Sequence, residues 1–260
     1  MAPLTPRGAR ETTRKPGTLL SALVSVAILA GCAAPGPNHV YLTTTASAAV
    51  HDLGPPPTSI DRALQPGEHA LGLAYDFNTD HLFIRVAPTG VIRVIERPSG
   101  KILRDMPLTA DLRTEKPADL AIRSRDRHLF AVHPDGHSIV ELTLFGDFVR
   151  KIDLMGLDGA VGGLAYDQKK QQLLILTAHS PARLGSVDPA GHVTYYVTFA
   201  EGVTPVSLGY DSDAERFFVP LSDPRLLGEF DTVGKLIVTH RLDEAITAID
   251  AGARSFVRVF

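Results

Sequence analysis

From about residue 70 onward, short apolar runs alternate with short polar ones, and the alternation repeats. Four segments open alike: Leu73-Ala74-Tyr75-Asp76, Leu120-Ala121-Ile122-Arg123, Leu164-Ala165-Tyr166-Asp167 and Leu208-Gly209-Tyr210-Asp211. Thr247-Ala248-Ile249-Asp250 is a weaker fifth copy. The anchors Tyr75, Ile122, Tyr166, Tyr210 and Ile249 are spaced by 47, 44, 44 and 39 positions. Seven residues after each anchor stands an apolar residue, Leu82, Leu129, Leu173, Phe217 and Phe256, which opens a second apolar run. Gly100, Gly146, Gly191 and Gly234 follow the first four anchors by 24 or 25 residues. Self-similarity at this period marks a repeat architecture.

The runs are short, rich in β-branched and aromatic residues, and bounded by turn residues, so each copy reads as four strands. In the third copy these are residues 163–166, 173–177, 184–188 and 193–199. No stretch holds a helical period over ten or more residues. The connection between the first two strands is strongly polar, as in Ser124-Arg125-Asp126-Arg127. The repeated glycines close the hairpin between the third and fourth strands, where a positive φ is cheap only for glycine. Four-stranded units at this period predict an all-β fold, a β-propeller.

The two ends predict how the ring closes. Residues 39–67 lack an opening strand but fit the later ones, at 39–43, 48–53 and 59–64. The missing first strand is supplied by residues 246–250, so the N- and C-terminal strands share a blade and two open sheet edges disappear. That arrangement has five blades. Residues 255–260 look like a further second strand, which leaves six blades as the alternative.

The N-terminal region has a different pattern. Arg7, Arg10, Arg14 and Lys15 precede a 12-residue apolar run, 19–30, which ends in Leu29-Ala30-Gly31-Cys32. The run is too short to cross about 30 Å of hydrocarbon, and its order matches an export signal with a small-residue cleavage site. Leu-Ala-Gly-Cys resembles the bacterial lipobox. The resemblance implies that residues 1–31 are removed and that Cys32 is lipidated and becomes the mature N-terminus. A solitary cysteine, with no disulfide partner, fits that role. Residues 32–38 read as a tether of small residues and prolines, and 39–260 as the propeller domain. Ala33 stands where, in the lipoprotein family, an aspartate tends to retain a protein at the inner membrane. The resemblance thus favours the periplasmic face of the outer membrane in a cell that has one.

Without residues 1–31 the chain has 22 basic against 28 acidic residues, a net charge of −6. That argues against a nucleic-acid partner. The chain has no tryptophan, which excludes repeat families whose signature needs one. The hydrophobic anchor with its terminal Asp resembles NHL-type and related six-bladed propeller families. Arg123 departs from that Asp, and the Asp before the hairpin glycine is clear only at Asp188 and Asp231.

In such a ring, the loops between second and third strands and between blades emerge on one face. They hold His69, Lys116, His133, Asp135, His137, His179, Arg183, Asp223 and Arg225, the candidate ligand-binding residues, and also Ser180. His133-Pro134-Asp135-Gly136-His137, with His179 in the matching loop of the next repeat, invites a metal reading. However, Pro134 and Gly136 forbid a helix, and Pro-Asp-Gly is a turn sequence, so a surface turn is expected and no metal. Ser180 lacks a nucleophile elbow. The recurring Asp76, Asp167, Asp211 and Asp250 are expected to accept hydrogen bonds from the turn that follows each. The recurring tyrosines should pack between sheets. Some six-bladed propellers are lactonases with a central calcium, but the innermost strands begin with Gly72, Asp119, Gly163, Ser207 and Thr247. One acidic residue is too few for that ion.

No catalytic residue and no cofactor is therefore assigned. The expected function is a lipid-anchored envelope module that binds a protein, peptide or glycan. An envelope lyase or lactone hydrolase using His133, His137 and His179 is the alternative from another class. A structural partner in a larger envelope assembly is the third.

Overall fold

The computed structural model describes residues 38–253 apart from Glu201. The expected export signal, Cys32, the expected tether up to residue 37 and the run at 255–260 lie outside the described residues. The chain begins with β1 (Asn38–Thr44), β2 (Val50–Asp52) and β3 (Thr58–Ile60). Blade I is β4 (His69–Asp76), β5 (His81–Ala87), β6 (Val91–Glu96) and β7 (Lys101–Pro107). Blade II is β8 (Leu120–Arg123), β9 (His128–Val132), β10 (Ser138–Thr143) and β11 (Phe148–Asp153). Blade III is β12 (Val161–Asp167), β13 (Gln172–Thr177), β14 (Arg183–Val187) and β15 (Val193–Thr198). Blade IV is β16 (Gly209–Asp211), β17 (Arg216–Pro220), β18 (Leu226–Phe230) and β19 (Leu236–Arg241). The last strand, β20 (Ile246–Ala253), pairs with β1 to complete blade V in the order β20-β1-β2-β3.

The protein is thus a five-bladed β-propeller closed by its N- and C-terminal strands. It has one blade fewer than the families its repeat resembles. The only helical element among the described residues is one 3-10 turn, Ala110–Leu112. In the third repeat the four expected strands agree with β12–β15 to within two residues at either end. The hairpin glycines Gly100, Gly146, Gly191 and Gly234 have φ of 68°, 93°, 95° and 80°, as the turn chemistry requires.

The apolar runs are continuous because each sheet is covered on both faces. Along β13, Leu173 and Ile175 pack toward blade II, while Leu174 and Leu176 pack toward blade IV. This is the period of two of a strand buried on both sides. Each of the five apolar clusters takes residues from two adjacent blades, so the core consists of five wedges between sheets. The tyrosine anchors sit in these wedges. Tyr75 packs 4.8 Å from Tyr41, Tyr166 5.9 Å from Phe130, and Tyr210 4.7 Å from Phe217.

Three of the recurring aspartates do what the repeat predicts. Asp76 accepts from the Asn78 amide (3.2 Å), Asp167 from the Lys169 amide (2.9 Å) and Asp211 from the Asp213 amide (2.8 Å). Asp250 does not. Strand β20 continues three residues past it, so its carboxylate is inside the ring and accepts from the Tyr75 amide at 2.6 Å. The fifth axial position also differs from expectation. Thr247 turns its hydroxyl to Thr43 (2.8 Å), while Ser207 reaches Ile249. Two carboxylates, Asp119 and Asp250, therefore lie among the innermost strands instead of one.

Candidate functional site

Strand direction divides the candidate residues between two ends of the ring. Each innermost strand starts at one end, and the loops from second to third strand and from blade to blade return there. His69 opens β4 at this end, opposite Ala87, the last residue of β5. The loops carrying His133, Asp135, His137, His179, Arg183, Asp223 and Arg225, and the linker carrying Lys116, share it. We call this the loop end and the opposite one the hairpin end.

The segment His133–His137 is a tight turn. The Gly136 amide donates to the His133 carbonyl at 2.9 Å, and Gly136 has a φ of 71°. Asp135 organises it by accepting from the His137 amide (2.7 Å), the Ser138 hydroxyl (2.9 Å) and Lys151 (3.3 Å). His133 Nδ1 lies 2.8 Å from the same carboxylate. Partial burial pushes the Asp135 pKa up, but these donors outweigh it and hold the carboxyl at about 2. His137 returns its Nδ1 to the Asp135 carbonyl (2.6 Å). The histidines are thus spent on a charged turn. Among the described residues, no group of three His, Cys, Asp or Glu is placed to hold a metal ion.

The remaining candidates form separate pairs. Arg183 lies 3.3 Å from Asp158 and 4.0 Å above the Tyr195 ring, whose hydroxyl accepts from the Asp158 amide (2.7 Å). Arg225 forks onto Asp223 with two contacts of 3.0 Å. His69 faces Glu115 at 3.9 Å. Lys116, His179 and Ser180 are exposed. The face is a field of paired, half-exposed charges and aromatic edges, suited to hydrogen bonding with a surface.

Sequence reasoning missed the groups beneath this face. Arg85 is 1% exposed and holds the blade I–II linker. It donates to the Val132 carbonyl at 2.7 Å, and also to the Leu112 and Ala118 carbonyls. Burial pulls its pKa down to about 10, against the attraction of Asp119. Its signal was available: an arginine inside the apolar run Leu82–Val86 must find buried acceptors. Asp111 on the same linker is held below the usual carboxylate range, first by the Thr109 hydroxyl and further by the charges of His133 and Lys151. Partners such as Glu115, Asp158 and Lys151 carried no local signal, because they meet the candidates only through the fold.

The axis is packed. A Cβ on Gly72 would lie 2.7 Å from the Ala118 carbonyl oxygen, and one on Gly163 would lie 2.7 Å from the Ser207 carbonyl carbon. Asp119 is fully buried in this packing and has no access to a substrate.

No protein-family model matches the chain, and no curated protein matches it. Solved structures are similar in fold. A chain from the crystal structure of a nidogen/laminin complex superposes with a TM-score of 0.59 at 10% identity, over 82% of this chain and 98% of that one. A protein of unknown function from Bacteroides caccae gives a TM-score of 0.48 at 12% identity, over 79% of this chain and 73% of that one.

Proposed function

We propose that this chain is a lipid-anchored β-propeller of the cell envelope. It is attached through Cys32 and captures a protein, peptide or glycan on its loop end. The observation that carries this reading is the placement of chain entry opposite the candidate loops. Asn38 pairs with Ala253, the last residue of β20, so the chain enters the ring at the hairpin end. Five residues separate Cys32 from Asn38, six Cα-to-Cα steps with a reach of about 20 Å. A lipid on Cys32 would hold the hairpin end toward the bilayer and present His133, Asp135, His137, Arg183, Asp223 and Arg225 away from it. A binding module suits a face of paired charges over a packed axis. The similar propeller found in a nidogen/laminin complex lends support to a protein partner. The periplasmic side of an outer membrane is the proposed location, following from Ala33 after the lipidated cysteine.

Two experiments test the two halves. Cys32→Ser removes the thiol that would be acylated, and each buried CH₂ of an acyl chain contributes about 0.8 kcal/mol to attachment. The variant should leave the membrane fraction and lose label from a fatty-acid precursor. An unchanged membrane pool, with no label on the wild type, would refute the anchor. For capture, His137→Ala, Arg183→Ala and Arg225→Ala combined should abolish recovery of the partner from solubilised envelope. Exposed positions shift stability by about 0.5 kcal/mol or less, so melting should stay nearly constant. Alanines at Arg125, Lys169 and Lys170, on the hairpin end, form the control. If the control set abolishes capture and the loop set does not, the faces are assigned the wrong way round.

A further inference from the structure

The hairpin end, whose turns are strongly polar in sequence, holds a cleft of ≈ 370 Å³ at the junction of blades I and II. That volume is within the range of small-molecule sites, about 300–1,000 Å³. Its apolar walls are Phe83, Leu144 and Phe145, the last 74% exposed. Its polar lining holds two arginines, Arg104 and Arg127, two imidazoles, His81 and His128, and one carboxylate, Asp126, with the hydroxyls of Thr79 and Thr143.

The two guanidiniums are not committed to carboxylates. Arg104 donates to the Leu144 carbonyl at 2.7 Å and lies 5.1 Å above the Phe145 ring, while its Nε is buried with no hydrogen-bond partner. Arg127 has no ion pair among the described residues, whereas Arg93, Arg97, Arg123, Arg150, Arg183 and Arg225 each have at least one. The nearby acids are already taken. Asp126 is bound by Arg123 at 2.7 Å, and Glu141 by Arg123, His128 and Arg150 at 2.5–2.6 Å. An unpaired guanidinium matches a carboxylate or phosphate through its planar fork. The equivalent cleft between blades III and IV is smaller, ≈ 210 Å³, and has Asp167 and Lys170 in its lining with no arginine. Of these two junctions, only the one between blades I and II is lined by arginine.

We propose that the cleft between blades I and II is a binding site for a small anion with a flat apolar body, such as an aromatic carboxylate or phosphate ester. The ring of the ligand lies against Phe145 and Leu144, and Arg104 and Arg127 receive its charge. This site is separate from the loop end and does not depend on lipidation of Cys32.

The test is fluorine NMR on the full chain with para-(trifluoromethyl)benzoate, and with the corresponding benzyl alcohol as the neutral analogue. The benzoate should bind and the alcohol should bind about tenfold or more weakly, the scale of a lost charge-assisted hydrogen bond. Arg127→Ala, an exposed change, should weaken the benzoate by a similar factor with no change in melting temperature. Arg104→Gln should do the same, and Lys170→Ala in the other cleft should not. Equal binding of acid and alcohol, full affinity in Arg127→Ala, or no binding by a cooperatively melting wild type would each overturn the proposal. The same anion chemistry is carried by free metabolites and by lipid headgroups. Displacement of the benzoate by phosphatidylglycerol vesicles, but not phosphatidylcholine vesicles, would assign the source to lipid. Displacement by phenyl phosphate alone would assign it to a free anion.

Discussion

At the scale of single residues, Asp119 is a carboxyl held far from its usual chemistry. Its Oδ2 accepts from the Leu164 amide, the Leu208 amide and the Ser207 hydroxyl, each at 2.9 Å. Its Oδ1 is buried with no partner. Burial is the dominant influence and drives its pKa up to about 7, against these donors. Asp250 is raised as well, first by burial and also by the proximity of Asp119. A carboxyl raised on folding favours the native state while it stays protonated. That stability is complete below the unfolded value near 4 and is lost as pH rises toward 7. Wild-type melting temperature should therefore fall between pH 4 and pH 7.5. Asp119→Asn, which cannot ionise, should show a shallower fall over that window. Parallel thermal melts of the two proteins measure this, and identical slopes would contradict the assignment.

At the scale of elements, Arg85 ties strand β5 to the linker that leads from blade I to blade II. Of its three carbonyl partners, those of Leu112 and Ala118 lie on that linker and that of Val132 ends β9. Replacing it by methionine keeps most of the volume but leaves these acceptors without their donor. Each buried unsatisfied group costs about 1–3 kcal/mol. Arg85→Met should lower unfolding free energy in urea by about 2–4 kcal/mol, and amide exchange should rise first in residues 110–118. Uniform exchange across all blades would instead mean that the arginine stabilises the ring as a whole. The pattern was partly readable. An arginine in an apolar strand announces a buried partner, but nothing local says that the partner is the carbonyl of a linker thirty residues on.

At the scale of the whole molecule, stability depends on closing the ring, because each wedge of core needs two neighbouring sheets. Leu173, 6% exposed, packs in the wedge between blades II and III. Leu173→Ala should cost about 2–5 kcal/mol from lost burial and the cavity left behind. Deleting residues 246–260 should do worse. It removes β20, exposes the edge of β1 and strips the wedges that blade V shares with blades I and IV. The expected product is aggregated or fails to melt cooperatively in calorimetry. A soluble, monomeric, cooperative deletion variant would show that closure is dispensable.

The sequence by itself determined the repeat, the four strands of each copy, the hairpin glycines and the sharing of a blade by the two ends. These follow from local rules: alternation on a strand, positive φ at a turn, and a period that is preserved along the chain. Tertiary structure decided the rest, because it depends on distance between residues far apart in sequence. Pairing of β1 with β20 settled the ring at five blades and moved Asp250 into the interior, where its copies Asp76, Asp167 and Asp211 cap turns. The histidines at 133 and 137 were resolved as parts of a turn by Asp135 and by Lys151 from the neighbouring strand. The cleft of Arg104, Arg127 and Phe145 was invisible from sequence for the same reason. Its residues come from strands and turns of two blades, and only the packing of one sheet against the next brings together two guanidiniums that make no ion pair among the described residues.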